Sequence, residues 1–192
     1  MSDLAAPSDQ PRPVDRVTVV VGNPRAGSRT LGVAEEVARR AADAAGLTDR
    51  AGLEWATIDL AEVGPQLFDW SSETVKAQAA TLAGSRLAVI ASPTFKATYT
   101  GLLKLFLEWF GQTGLSGVTA VPVMVGGVAN HALSVEVHLR PLLVEIGASV
   151  PTRGLYVLDN ELDELPSLLD DWLVEAGPVL RSAVGRSAAG GA

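Results

Sequence analysis

Three short segments carry residue types suited to binding a ligand: GNPRAGSRT (22–30), SPTFKATYTG (92–101) and VGGVANH (125–131). In the first, Gly22 and Gly27 have the spacing of a nucleoside-triphosphate P-loop, but Ser28 and Arg29 stand where that motif requires Lys and then Ser or Thr. A triphosphate site needs the Lys for its outer phosphates and the hydroxyl for Mg²⁺. What remains is a helix N-terminus with unpaired N–H groups, the hydroxyls of Ser28 and Thr30, and the guanidinium of Arg25. That set suits one terminal phosphate monoester held without metal, although any strand-to-helix turn also collects Gly, Ser and Thr for capping. A dinucleotide fingerprint G-x-G-x-x-G is absent, while Asp59 ends the second apolar run where such a fold places its ribose ligand.

The second segment combines Pro93, Thr94, Phe95, Lys96 and Tyr99. Phe95 offers a flat apolar face and the loop N–H groups can bond a ring edge, which fits a planar amphipathic ligand. Its alternative is a surface turn with an inward-packed aromatic and a solvated Lys96. In the third segment, Gly126 and Gly127 let backbone approach a flat ligand closely, or simply make a turn.

Five apolar runs must position these segments: 16–22, 53–60, 86–92, 120–127 and 153–159. The first, third and fourth are apolar on both faces, as strands covered by helices on both sides are. Helical spacing fills the intervals at about 30–45, 72–82, 99–111, 130–147 and 162–186. In the first helix Glu35 and Glu36 precede Arg39 and Arg40 by four residues, the favourable order for ion pairs. Pro141 must disturb the fourth, and Pro166 and Pro178 loosen the fifth. Alternating strands and helices specify an α/β fold, a doubly wound parallel sheet whose simplest order is 2-1-3-4-5. In that order ligands bind beyond the carboxyl ends of the strands, where the order reverses, and all three segments fall on that rim.

The bulk composition agrees with such a domain. At 192 residues and 47% hydrophobic content one core is expected, over 16–186, with a polar, Pro-rich disordered tail at 1–15 and a flexible tail at 187–192. No window is apolar enough for a membrane span or a signal peptide. A net charge of −7 disfavours nucleic acid and anionic lipid, and the lack of cysteine fits a cytoplasmic location and removes thiolate chemistry. His131 and His138 are too few for a metal centre.

GNPRAGSRT, SPTFKATYTGLLKLFLEW and GGVANHALSVEVHLRPLL resemble the NAD(P)H-dependent FMN reductases of the flavodoxin-like superfamily, over about 16–159. Similarity is greatest to the reductase partners of two-component alkanesulfonate or methanesulfonate monooxygenases. The resemblance implies FMN and NADPH as cofactors, with NADH as the alternative nicotinamide, and a flavin-dependent monooxygenase as partner. It places Arg25, Ser28, Arg29 and Thr30 around the FMN phosphate, Pro93, Thr94, Phe95 and Lys96 beside the isoalloxazine, and Gly126 and Gly127 at its other margin. Asn23 replaces the usual Ser after the first Gly and keeps an amide donor; Phe95 replaces Tyr, and Val125 stands where Thr is frequent. His131 follows the paired glycines closely enough to reach the ligand rim, the alternative being an ordinary residue at a helix start. His138 falls where relatives carry a polar aromatic or His in a widened helical turn associated with subunit contacts.

Hydride transfer between nicotinamide and flavin requires no protein nucleophile, so no catalytic acid or base is assigned. A single ring-contacting aromatic fits a flavin that leaves as product. Leu102, Leu103, Leu105, Phe106, Leu107, Trp109 and Phe110 exceed what one helix face buries against a sheet, so a homodimer or homotetramer through the third and fourth helices is expected. Rival readings are a quinone, azo-dye or chromate reductase with bound FMN, a flavodoxin-like electron carrier, and a flavin-free regulatory protein.

Overall fold

A computed structural model of the chain describes residues 14–189. Strands β1 (Val14–Val21), β2 (Glu54–Asp59), β3 (Ser85–Pro93), β4 (Thr119–Gly126) and β5 (Leu155–Leu158) form one parallel sheet in the order β2-β1-β3-β4-β5, as the alternation of elements requires. The helices are α1 (Arg29–Ala44), α2 (Glu73–Ala83), α3 (Gly101–Leu107), α4 (Arg140–Glu145) and α5 (Leu165–Ala189). Strand β1 starts ahead of the expected boundary at residue 16 because Asp15 is pinned by Arg50 at 2.9 Å and by Arg86. The rest of the expected tails, 1–13 and 190–192, lies outside the described residues. Among the described residues no helix is long and apolar enough to cross a membrane.

Alternation along the strands builds two cores. Val17, Val19 and Val21 point towards α1 and α5, whereas Val20, Ala88 and Ile90 point towards α2, α3 and α4. Helix α1 presents Val33, Ala34, Val37, Ala38, Ala41 and Ala42, a face of small residues that lets it sit close to the sheet. Its charges find other partners than expected. Arg39 pairs with Glu36 one turn earlier, and Arg40 reaches across to Asp170 on α5, because α5 lies alongside α1 in the same layer. The hydrogen bond from Arg39 holds the Glu36 carboxyl below the usual carboxylate range.

Helix α3 is shorter than its apolar run. Thr100 caps it by accepting from Leu103 N at 3.1 Å, and Leu103, Phe106 and Leu107 are buried. Much of the remaining apolar surface is covered within the chain by the 3-10 turns Leu60–Glu62 and Gly64–Phe68. Trp109 donates its indole N–H to Leu67 O at 3.3 Å, and its ring lies 4.8 Å from that of Trp70. The fourth helix is not the continuous 130–147 span that periodicity suggests. It divides into a 3-10 turn at Ala129–His131, a π-helical turn at Val135–Leu139 containing His138, and α4, which has Pro141 in its first turn. Proline there has no N–H to give an i−4 carbonyl, and the widened turn accommodates it. The turn is stitched to the approach of β5: Glu136 accepts from Arg140 and from Gly154 N at 2.6 Å, while Arg140 donates to Val150 O at 2.6 Å. In α5, Pro166 sits in the first turn, where no N–H is needed, and the helix runs through Pro178.

Two local constraints place the rim loops. Gly22 N donates to Ala91 O at 2.8 Å and Gly22 O accepts from the Thr100 hydroxyl at 2.5 Å, so the end of β1 is clamped between β3 and the start of α3. A Cβ on Gly22 would stand 2.4 Å from Leu103 Cβ, an atom fixed to the helix backbone. Beyond β3, Phe95 and Thr98 pair in an antiparallel bridge across a two-residue turn, Lys96 (φ 53°) and Ala97 (φ 64°). Both central residues at positive φ is the type I′ pattern, which favours Gly or Asn. With side chains there the turn holds strain of about 1–2 kcal/mol per residue.

Gly22→Ala should lower the unfolding free energy by about 2 kcal/mol in urea titration, as overpacking of a rigid contact does. Ala97→Gly should raise it by about 0.5–1 kcal/mol, since relief of strain exceeds the added unfolded-chain entropy. A destabilised Ala97→Gly would contradict the positive φ at that turn.

Candidate active site

Because all five strands run in one direction, their carboxyl ends meet at a single edge: Val21 is level with Asp59 and Ala91, Pro93 with Val125, and Gly126 with Leu158. A cavity of about 580 Å³ opens there between the turns that follow β1, β3, β4 and β5. This is within the size range of small-molecule and cofactor sites.

The β1–α1 turn forms its polar end. Ser28 is the N-cap of α1 and its hydroxyl oxygen accepts from Leu31 N at 3.3 Å, so its proton remains to be donated outward. Thr30 is similarly arranged, since its hydroxyl oxygen accepts from Asn23 Nδ2 at 3.1 Å. Asn23 Oδ1 in turn accepts from Arg25 N at 3.0 Å. The Asn23 amide thus braces the loop from inside through one of its two N–H groups and its oxygen, and its other N–H is left for a ligand. Asp59 is buried and accepts from Gly27 N at 3.0 Å and Ala61 N at 3.2 Å. Both carboxylate oxygens hold the loop and the turn after β2, and Asp59 does not line the cavity. Leu31 N and Gly32 N already donate to Ser28, so at this end of the cavity it is the N–H groups of Arg29 and Thr30 that have no partner among the described residues, with the partial positive charge of the helix.

The two arginines of the turn differ. Arg25 is exposed on the cavity wall, and its guanidinium makes no bond among the described residues. Arg29 is committed: Nη1 donates to Asp159 O at 3.1 Å and Nη2 to Asp159 Oδ2 at 3.3 Å.

The opposite end is flatter and less polar. Pro93 ends β3, Thr94 and Phe95 follow it, and Thr94 N donates to Val125 O at 2.7 Å, which draws this segment against the end of β4. Phe95 is half exposed at 52% on the strained hairpin. Ser92 ties the loop together by accepting from Thr100 N at 3.0 Å and donating to Pro93 O at 2.8 Å. At Gly126 an added Cβ would come 2.0 Å from Tyr156 OH and 3.1 Å from Thr94 Oγ1, so only a bare backbone fits beside both. The Tyr156 hydroxyl donates to Val128 O at 2.8 Å, which supports the turn after Gly127. Thr94 Oγ1 is buried with no hydrogen-bond partner among the described residues. An unpaired buried hydroxyl is costly, and here it stands at the cavity wall. Burial pushes the phenol of nearby Tyr99 above its ordinary value, keeping it neutral.

Asn23, Arg25, Ser28, Arg29, Thr30, Pro93, Thr94, Phe95, Gly126 and Gly127 all line this one cavity. Lys96 and His131 do not. Lys96 is exposed at the tip of the hairpin, and His131 ends the 3-10 turn outside the cavity, with its N–H on Val128 O at 3.3 Å. His138 lies exposed in the π-helical turn. Sequence reasoning missed Asp159. The signal available for it was its position as the last residue of the fifth apolar run, hence on the binding rim.

The residues fit FMN. One end offers hydroxyls, a helix N-terminus and a free guanidinium for a phosphate monoester; the other offers a bare glycine backbone, an aromatic face and an unpaired hydroxyl for a polar ring. Comparison with known proteins bears on the same point. The chain is 30% identical over 151 residues to the NADH-dependent FMN reductase SfnF of Pseudomonas putida, covering 79% of this chain and 81% of that one. It is 26% identical to SfnE of the same species, covering 76% and 78%. Among solved structures, the apo form of the NADH:FMN oxidoreductase EMOB superposes with a TM-score of 0.74 at 25% identity, covering 88% of this chain and 89% of that one. An oxidoreductase from Corynebacterium diphtheriae gives 0.75 at 25% identity, covering 89% and 97%. A sequence profile for NADPH-dependent FMN reductase matches residues 16–163, which include every turn that lines the cavity, and the chain belongs to that family.

Proposed function

We propose that this oxidoreductase of the FMN reductase family takes FMN at the cavity as a substrate and releases it reduced to a partner flavin-dependent monooxygenase acting on sulfonates or related organosulfur compounds. When bound, FMN supplies the hydride-accepting ring, so the chemistry belongs to the nicotinamide and the flavin. The protein's part is placement. Arg25, Ser28, Thr30 and the first turn of α1 hold the phosphate end, Thr94 donates to the ring edge, and the Gly126–Gly127 backbone and Phe95 border its faces.

The observation that carries this reading is the joining of an anion cradle, with a free Arg25, to a wall bearing the unpaired Thr94 hydroxyl in one cavity. Release as product is supported by the single, half-exposed aromatic at the ring end. A partner monooxygenase is supported by the motifs that resemble the reductase components of two-component sulfonate systems.

Self-association is part of the proposal. Leu133, Val137 and Val144 are exposed at 71%, 57% and 54% along one side of the π-helical turn and α4, beside His138. This stripe is the proposed interface of a homodimer or homotetramer.

Steady-state oxidation of NADH and of NADPH should depend saturably on added FMN. Arg25→Ala should weaken FMN binding about tenfold while leaving riboflavin, which lacks the phosphate, nearly unchanged. A flavin that copurifies in full and turns over an organic acceptor without free FMN would overturn the substrate reading. Light scattering at micromolar concentration should give a multiple of 20.0 kDa, and Val137→Glu should return the mass to that of one chain.

A further inference from the structure

Resting on the FMN site proposed above, we propose that Asp159 sets how loosely the phosphate is held, by occupying Arg29 and placing a carboxylate on the wall of the phosphate end. Guanidinium recognises phosphate best through two parallel N–H groups presented as a fork. In Arg29 one edge of the guanidinium is taken, Nη1 bonding the main-chain carbonyl of Asp159 and Nη2 its carboxylate, which leaves the Nε side for a phosphate to share. The pair spans from the first residue of α1 to the end of β5, and β3 and β4 lie between β1 and β5 in the sheet. Asp159 is held in place independently of Arg29, because its N–H donates to Gly126 O at 2.9 Å. Its other carboxylate oxygen lies 3.8 Å from where a Cβ on Gly127 would stand, so the group sits between Arg29 and the paired glycines on the cavity wall.

An entering phosphate therefore meets one uncommitted guanidinium, Arg25, and one already neutralised by a neighbouring carboxylate. To engage Arg29 it must share or displace Asp159, and it feels the carboxylate's charge in either case. The Arg29 and Asp159 side chains are 68% and 39% exposed, so the effect is moderated by solvent and suits adjustment of affinity more than exclusion of the anion. A reductase that surrenders its flavin gains from such a counterweight, since product release requires that the phosphate not be held by every cation present.

The test is calorimetric titration of FMN and riboflavin into wild type, Asp159→Asn and Asp159→Ser. Asn keeps an acceptor for Arg29 and removes the charge. FMN should bind both variants about fivefold more tightly than wild type, with riboflavin affinity changed less than about twofold. The FMN difference should narrow as salt rises, because it arises from exposed charges. FMN binding equal to or weaker than wild type in both variants would overturn the proposal and assign Asp159 to holding Arg29 in a productive position. An equal gain for riboflavin would also overturn it. No binding of FMN by the wild-type protein would instead remove the proposed site itself, and is told apart by that titration alone.

Discussion

The site depends on one close approach. The bare Cα of Gly22 lies against Leu103 at the start of α3, and the Thr100 hydroxyl caps that helix while donating to the Gly22 carbonyl. This contact joins the end of β1 to the segment that follows β3, and so brings the phosphate-type turn and the ring-type turn into one cavity. Ser92 and Thr94 extend the same knitting towards β4. The polar groups inside the rim are thus mostly engaged with each other, while the Arg25 guanidinium and the Thr94 hydroxyl have no partner among the described residues.

Electrostatics at this edge run against the protein as a whole. The chain carries a net charge of −7, yet its binding turn contains Arg25 and Arg29 and no carboxylate in the first turn of α1. An anionic ligand is therefore attracted locally and not by the long-range field. The two carboxylates that do reach the rim have separate duties. Asp59 is buried and fastens the loop through Gly27, while Asp159 is partly exposed and engages a cation. Residue type alone would treat them alike; burial and partners divide them.

The widened turn of the fourth helical segment links scaffold to surface. Pro141 breaks the regular hydrogen-bond ladder, and Glu136 and Arg140 then bond the approach to β5. The hydrogen bond from Arg140 keeps the Glu136 carboxyl below the usual range, so it stays ionised as an acceptor for both Arg140 and the Gly154 N–H. The same turn carries Val137 and His138 outward, beside Leu133. Support for β5 and display of an apolar stripe are two faces of one irregularity.

Much of this was legible in the chain itself. Strand number, direction, order and the placing of three loops on one rim follow from the alternation of apolar runs with helical spacing, because parallel strands admit few connections. The absent Lys of the P-loop and the bulk of the cavity lining could likewise be read from residue type at known offsets. Partners distant in sequence could not. That Arg40 bonds Asp170, that Asn23 serves Thr30, that 3-10 turns cover α3, and that Asp159 engages Arg29 all depend on which elements become neighbours after folding. Local periodicity specifies which way a side chain faces; only the packed structure decides what it meets there, and in this cavity that difference separates the free arginine from the occupied one.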